Sequence, residues 1–249
     1  MSGNSAINEN YRPVALIPHY NHADKIGGVI ARLLAFGLPV LVVDDGSDQT
    51  NRALLKTLEQ CPGVMLVYRP HNGGKGAAMK IAFRRALASG FSHGLQLDAD
   101  GQHHLEDVPS VLEKSRTNPT ALICGRPCYG SDVPKGRFYG RKITNFWIAV
   151  NTLSFDIPDG MCGFRLYPLQ AVNQVIQRYP VGDGMDFDTD ILVRLHWQNS
   201  PMIWFDTPVR YHPGGVSHFR ALRDNWLISK MHARLFFGML RRLCRGKNI

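Results

Sequence analysis

LQLDADGQHH, residues 95–104, ends an apolar run with two carboxylates one residue apart, followed by an amide and two imidazoles. A buried strand emptying into an acidic loop is one reading of this stretch, and ordinary loop solvation is the other. The rest of the chain bears on the choice. Val14 to Ile17, Val40 to Val43, Val64 to Val67, Gly94 to Leu97 and Ala121 to Cys124 are short apolar runs, each closed by polar or Gly/Pro residues, and each reads as a buried strand. Helical patterns near 24–36, 50–60, 75–89 and 106–116 lie between or after them. That alternation predicts an α/β fold with a mostly parallel sheet and helices on both faces.

Ligands of such sheets sit at the carboxyl ends of the strands. PHYN, DDGSD, RPHNGGKG, DADGQHH and GRP follow the five strands in order, so five polar loops converge on one edge. After Arg126 the pattern weakens into a Gly-rich, basic loop through Arg141, then a helix near 137–153, the segment DIPDGMCGFRLYP, and helices near 168–178 and 186–198. A chain of 249 residues suffices for one sizeable core. No repeat or linker divides it; residues 11–219 read as one catalytic domain and 220–249 as a basic amphipathic C-terminal helix.

The chain carries +9, of which the stretch from Tyr211 onward supplies +7, eight bases against the single acid Asp224. Within 222–245, Arg223, Lys230, Arg234, Arg241 and Arg245 recur at alternating steps of seven and four, a stripe about 60° wide on a broadly apolar helix. This pattern suits an anionic membrane surface; a domain helix with one solvated face, or a helix buried in a dimer, would also produce it. No aromatic residues interleave with a basic strand, so specific nucleic-acid binding is not expected. Five scattered cysteines without a C-x-x-C pair argue against disulfides or a zinc knuckle and for a reducing compartment. The first ten residues read as a loose tail, not a secretory signal, and no run approaches a membrane span.

Asp98 and Asp100 alternate as hard-cation ligands do, leaving coordination positions for phosphate oxygens and water as Mg²⁺ or Mn²⁺ requires. Gln102 can add a carbonyl oxygen. At the second strand end, one of Asp44 and Asp45 can accept from a base or ribose, while an Asx turn with Asp48 capping the next helix would serve equally. HNGGKG fails as a P-loop, because Arg69 and Gly76 stand where Gly and Ser/Thr are needed. What remains is a glycine turn entering a helix, with Lys75 placed for a phosphate or for solvent.

Taken in order, VALIPHYN, VLVVDDGSDQT, NGGKGAA, LQLDADGQHH, ICGRP, DGMCGFR and GGVSH resemble the family-2 glycosyltransferases, especially the dolichyl- and polyprenyl-phosphate mannosyl and glucosyl synthases. The resemblance implies a single nucleotide-diphospho-sugar transferase domain of GT-A type, Rossmann-like, and a metal-dependent, inverting transfer. It implies that Pro18, Tyr20, Val43 and Asp45 line the nucleoside, that Asp98, Asp100 and Gln102 hold the metal with Ala99 beside the nucleotide, and that Arg126 approaches the diphosphate or an acceptor phosphate. His22 departs from the family's usual Glu, and HPGGVSH, residues 212–218, lacks the strong cations of the lipid-phosphate enzymes.

VGDGMDFDTDIL is richer in acid than those enzymes. A hydroxyl acceptor needs a base whereas a phosphate does not, so Asp190 first and Asp188 second are candidate bases; acid at a helix N-terminus is the plain alternative. The expected enzyme moves a sugar from a UDP- or GDP-linked donor to a lipid-linked or amphiphilic acceptor at the cytoplasmic membrane face, by a single displacement in which Lys75 and Arg126 offset charge. A polyprenyl-phosphate acceptor and a non-catalytic sugar-nucleotide binding protein remain as alternatives.

Overall fold

The computed structural model describes residues 10–129, 135–208 and 220–246. Seven strands form one sheet, β1 Pro13–His19, β2 Val40–Asp44, β3 Val64–Tyr68, β4 His93–Gln96, β5 Leu122–Cys128, β6 Arg165–Pro168 and β7 Met202–Pro208, in the order β3-β2-β1-β4-β6-β5-β7. The helices are α1 Ala23–Ala35, α2 Gln49–Leu58, α3 Lys75–Ala88, α4 Val108–Thr117, α5 Lys135–Thr152, α6 Leu169–Arg178, α7 Phe187–His196 and α8 Ala221–Leu243. All sheet pairings are parallel except those of β6, which runs antiparallel between β4 and β5.

Alternation along β1 distributes the core. Val14 and Leu16 point to the side of α3, α6, α7 and α8, whereas Ala15 and Ile17 point to the side of α1, α2 and α4, as the two-residue period of a strand dictates. All four are fully buried, so both faces of the sheet are dry and each larger aliphatic side chain there contributes about 1.5–3 kcal/mol. β6 was not expected from the sequence. Its RLYP begins with an arginine that reads as loop, yet Arg165 is fully buried, paired in register with Gln96 and Cys124.

The C-terminal helix adheres to the domain throughout its length. Met231, Leu235 and Met239 belong to the core cluster beneath α7. Arg234, counted in the sequence as part of an outward basic stripe, turns inward to Asp190 instead; Arg223, Lys230 and Arg241 are the stripe members left exposed on α8. The segment HPGGVSH lies outside the described residues.

Candidate active site

The D-x-D pair follows directly on β4. Asp98 Oδ1 lies 2.7 Å from Lys75 Nζ, and its Oδ2 lies 3.2 Å from His103 Nε2. Lys75 Nζ reaches on to Asp188 Oδ2 at 2.8 Å, and Asp188 Oδ1 accepts from Gln96 Nε2 at 2.7 Å. Arg165 Nη1 donates to the Asp188 carbonyl at 2.6 Å. Three sequence-distant loops therefore meet on one ammonium group.

Local chain geometry produces that meeting. Gly74 adopts φ +101°, and a Cβ there would stand 2.5 Å from the Asp183 carbonyl, so only glycine lets the 182–184 loop lie over the start of α3. Ala77 N donates to the same carbonyl at 3.0 Å. The loop then opens α7, whose first turn carries Asp188. From the opposite side comes DGMCGFR, folded by Asp159, which accepts from Met161 N and Cys162 N and pairs with Arg141 at 2.7 Å. Gly163 of that segment closes against the site: a Cβ would lie 2.9 Å from Lys75 Nζ and 3.0 Å from Asp98 Oδ2.

The charges hold each other in place. Burial disfavours the Lys75 ammonium, but Asp188 and Asp98 outweigh it and raise the group above the ordinary lysine range. Burial likewise opposes ionised Asp98, yet Lys75 and His103 hold it far below the usual carboxylate range. Both groups are therefore charged at neutral pH, with one ammonium held between two carboxylates.

The other expected residues are placed as follows. Asp45 is almost wholly buried and is held by Arg69, by Gly73 N and by Gly74 N at 2.7 Å. Its carboxylate anchors the glycine loop, and burial raises its pKa against those donors. Asp44 is paired too, with His19 at 3.1 Å and Arg52 at 3.0 Å. Val43 is fully buried in the core, so its side chain does not line a nucleoside as expected; only its backbone reaches the strand end. Ala99 is buried as well, while Pro18 and Tyr20 stay half-buried at the end of β1. Arg126 is exposed and bidentate to Asp206, at 2.6 and 2.9 Å, a surface pair that exchanges readily for another anion.

Asp190, the first candidate base, is corrected by its surroundings. It is fully buried, with Oδ1 on Arg194 Nε at 2.6 Å and Oδ2 on both Gly182 N at 2.9 Å and Arg234 Nη2 at 2.5 Å. A carboxylate held by two guanidinium groups inside the protein has no access to an acceptor; it ties α7 to α8. Asp186 turns into the 182–184 loop, where Oδ1 accepts from Gly184 N, and Asp183 pairs with Lys80. Asp188 alone of this cluster reaches Asp98's neighbourhood, and it is neutralised by Lys75.

Asp98, Asp100 and Gln102 stand on one loop, with Asp100 Oδ1 accepting from Gln102 N at 3.0 Å. Among the described residues no cluster of three or more carboxylate, imidazole or thiol groups is arranged as a metal cage. Two carboxylates and an amide oxygen are still a fitting donor set for a hard cation, because Mg²⁺ typically takes one or two carboxylates and completes its shell with substrate phosphate and water.

The family profile described as Glycosyl transferase family 2 matches residues 14–176, the stretch that carries all five strand-end loops, the D-x-D among them, and DGMCGFR. The chain belongs to this family. As a glycosyltransferase it is 26% identical over 197 residues to a polyprenol monophosphomannose synthase of Mycolicibacterium smegmatis, covering 76% of this chain and 74% of that one. It is 27% identical over 194 residues to an undecaprenyl-phosphate mannosyltransferase of Micrococcus luteus, covering 74% and 77%. Its fold is similar to that of glucosyl-3-phosphoglycerate synthase from Mycobacterium tuberculosis, solved in complex with Mn²⁺ and UDP-glucose, at a TM-score of 0.67 and 16% identity over 92% of this chain and 79% of that chain. The GT-A fold expected from the sequence is thus the observed one.

Gln96, Gly163, His103 and Arg165 complete the site without having been singled out for it. A lone polar side chain inside the apolar run LQL was the available signal for Gln96. Nothing in the sequence marks Gly163 above the other glycines, since what excludes a side chain there is the Lys75–Asp98 pair brought from elsewhere.

Proposed function

We propose that this glycosyltransferase transfers a sugar from a UDP- or GDP-linked donor to a polyprenyl phosphate, at the cytoplasmic face of a membrane. The observation that carries the acceptor is the Lys75 bridge, 2.7 Å from Asp98 and 2.8 Å from Asp188. It engages the one acid of the 183–190 cluster that reaches the D-x-D loop, so every carboxylate of that cluster already has a partner and none stands open to a hydroxyl acceptor. A phosphate acceptor is already an anion at neutral pH and requires no base. Similarity to a polyprenol monophosphomannose synthase and an undecaprenyl-phosphate mannosyltransferase supports the same choice.

In this reading Asp98, Asp100 and Gln102 would hold Mg²⁺ or Mn²⁺, which supplies Lewis-acid stabilisation of the departing diphosphate. Lys75, fixed between Asp98 and Asp188, offsets part of the negative charge that these two carboxylates and the donor phosphates bring together. Asp188 positions Lys75, and Gln96 and Arg165 position Asp188. Arg126 leaves Asp206 to meet the incoming acceptor phosphate, whose oxygen attacks the anomeric carbon opposite the diphosphate, inverting it. Pro18 and Tyr20 frame the nucleoside, with the backbone of Val43, while Asp45 shapes the glycine loop beside them.

The test is transfer of labelled sugar to a short polyprenyl phosphate, compared with the matching polyprenol. Product on the phosphate and none on the alcohol supports the proposal. Product on the alcohol alone would restore a hydroxyl acceptor and require a base elsewhere.

A further inference from the structure

Twelve of the fourteen large hydrophobic side chains exposed among the described residues lie on α5, on the turn that follows it, or on α8. On α5, Thr144, Ile148 and Asn151 face the core, and the opposite side of the helix is where polar residues belong. It carries Tyr139, Ile143 and Phe146, which are 61–63% exposed, and Phe155 just beyond the helix is 92% exposed. α8 repeats the inversion. Its core side is Met231, Leu235 and Met239, and its outer side presents Leu222, Trp226 and Phe237. The helices touch, with Trp147 of α5 6.3 Å from the His232 ring of α8 and Asn151 bonded to His232 at 3.1 Å.

Exposed aromatic ridges on two packed helices, rimmed by charge, mark a docking face, and the charge says of what kind. α5 contains no acid, and the only acid of α8, Asp224, is buried and caps that helix by accepting from Arg220 N. Lys142 Nζ lies 4.5 Å from the Phe138 ring and Lys230 Nζ 5.0 Å from the Trp226 ring, so ammonium groups stand beside the aromatics on both helices. The exposed acid near the ridge, Asp156, lies 3.4 Å from His196. A second copy meeting this face about a two-fold axis would set the bases of both helices against their own copies, with Asp156, already beside His196, as the acid at hand to offset them. An anionic bilayer accepts both the rings and the cations.

We infer that α5 and α8 together form a monotopic membrane-insertion face for anionic lipid, with the Tyr139–Ile143–Phe146 ridge of α5 as the inserted edge. No helix among the described residues is long and apolar enough to span a bilayer, so the helices lie in the interface plane. The inference deepens, and rests on, the reading of a lipid-linked acceptor: β5, whose end carries Arg126, precedes α5 in the chain, so one face would hold the enzyme where the acceptor phosphate emerges.

The experiment compares the full chain with an Ile143→Ser/Phe146→Ser variant on phosphatidylglycerol–phosphatidylcholine vesicles and on pure phosphatidylcholine. Both substitutions are at exposed positions, and circular dichroism with nucleotide-induced thermal shift checks that the fold and donor site are intact. The native chain sediments with the anionic vesicles, its tryptophan fluorescence is quenched by brominated lipid, and the variant binds at least about tenfold more weakly. Equal binding by the variant, or no binding by the native chain, overturns the inference. A native dimer that the variant dissociates, with no vesicle binding by either, assigns the face to a second copy. Vesicle binding without transfer to polyprenyl phosphate leaves the face standing and removes the acceptor.

Discussion

Asp190→Asn separates a structural carboxylate from a catalytic one. The substitution keeps the shape and removes the charge that holds Arg194 at 2.6 Å and Arg234 at 2.5 Å. Breaking a buried pair from one side costs about 3–5 kcal/mol because the partner remains buried and uncompensated. The lower end applies here: the Arg234 side chain is 33% exposed and can turn to water, and Arg194 keeps its stacking on Tyr179 at 4.8 Å. About 3 kcal/mol in a chain of this size lowers Tm by about 6–12 °C. Thermal unfolding followed by circular dichroism reads that loss, and turnover measured well below the transition, corrected for folded fraction, is expected within about threefold of native. An unchanged Tm with turnover down about a hundredfold, the contribution of a general base, would refute the reasoning and return the base to Asp190.

Gly163→Ala places a methyl 2.9 Å from Lys75 Nζ and 3.0 Å from Asp98 Oδ2, so the donor KM should rise at least about tenfold with little change in Tm; unaltered donor affinity by calorimetry would count against the assigned site. Asp100→Ala should abolish metal-dependent turnover and leave the fold intact, because the residue lies on a loop, which a turnover assay in Mn²⁺ checks. Lys75→Ala removes a cation that holds the Asp98 pKa down, so any remaining activity should show its acid limb at higher pH; an unmoved limb contradicts the pairing. His232 is kept neutral by burial, which lowers its pKa to about 4 despite the nearby Asp190. Since the unfolded chain binds that proton more tightly, the stabilisation is complete above the ordinary histidine value near 6.5 and is lost as pH falls toward 4, about 3 kcal/mol in all. Urea unfolding from pH 7 to 4 should show this slope, flattened in His232→Gln.

The parallel half of the fold was legible because its strands are runs of buried aliphatics closed by turn residues, and a fully buried strand needs no further signature. β6 was hidden by Arg165, whose charge is tolerated inside the sheet through the Asp188 carbonyl, a partner no local window contains. The loops that form the site were legible from their strand-end positions. Which of the acids at 183, 186, 188 and 190 reaches it was not, for helical spacing gives a face but not the neighbour across from it. Spacing put Asp190 and Asp186 on one side; the neighbour there proved to be α8, whose Arg234 closes the pair. The same inward turn explains why the outward basic stripe on α8 is shorter than the sequence suggested.

Transfer of sugar to a lipid phosphate at the Lys75-bridged D-x-D site, with a divalent cation, is the proposal on which the assigned residue roles depend. The direct measurement is sugar transfer from a panel of UDP- and GDP-sugars to polyprenyl phosphate in anionic vesicles, with Mn²⁺, with Mg²⁺, or with a chelator. The expected result is product from one nucleotide family, dependent on the cation, lost in Asp100→Ala and absent with polyprenol. Cation-independent product, or transfer to polyprenol but not to its phosphate, would contradict it.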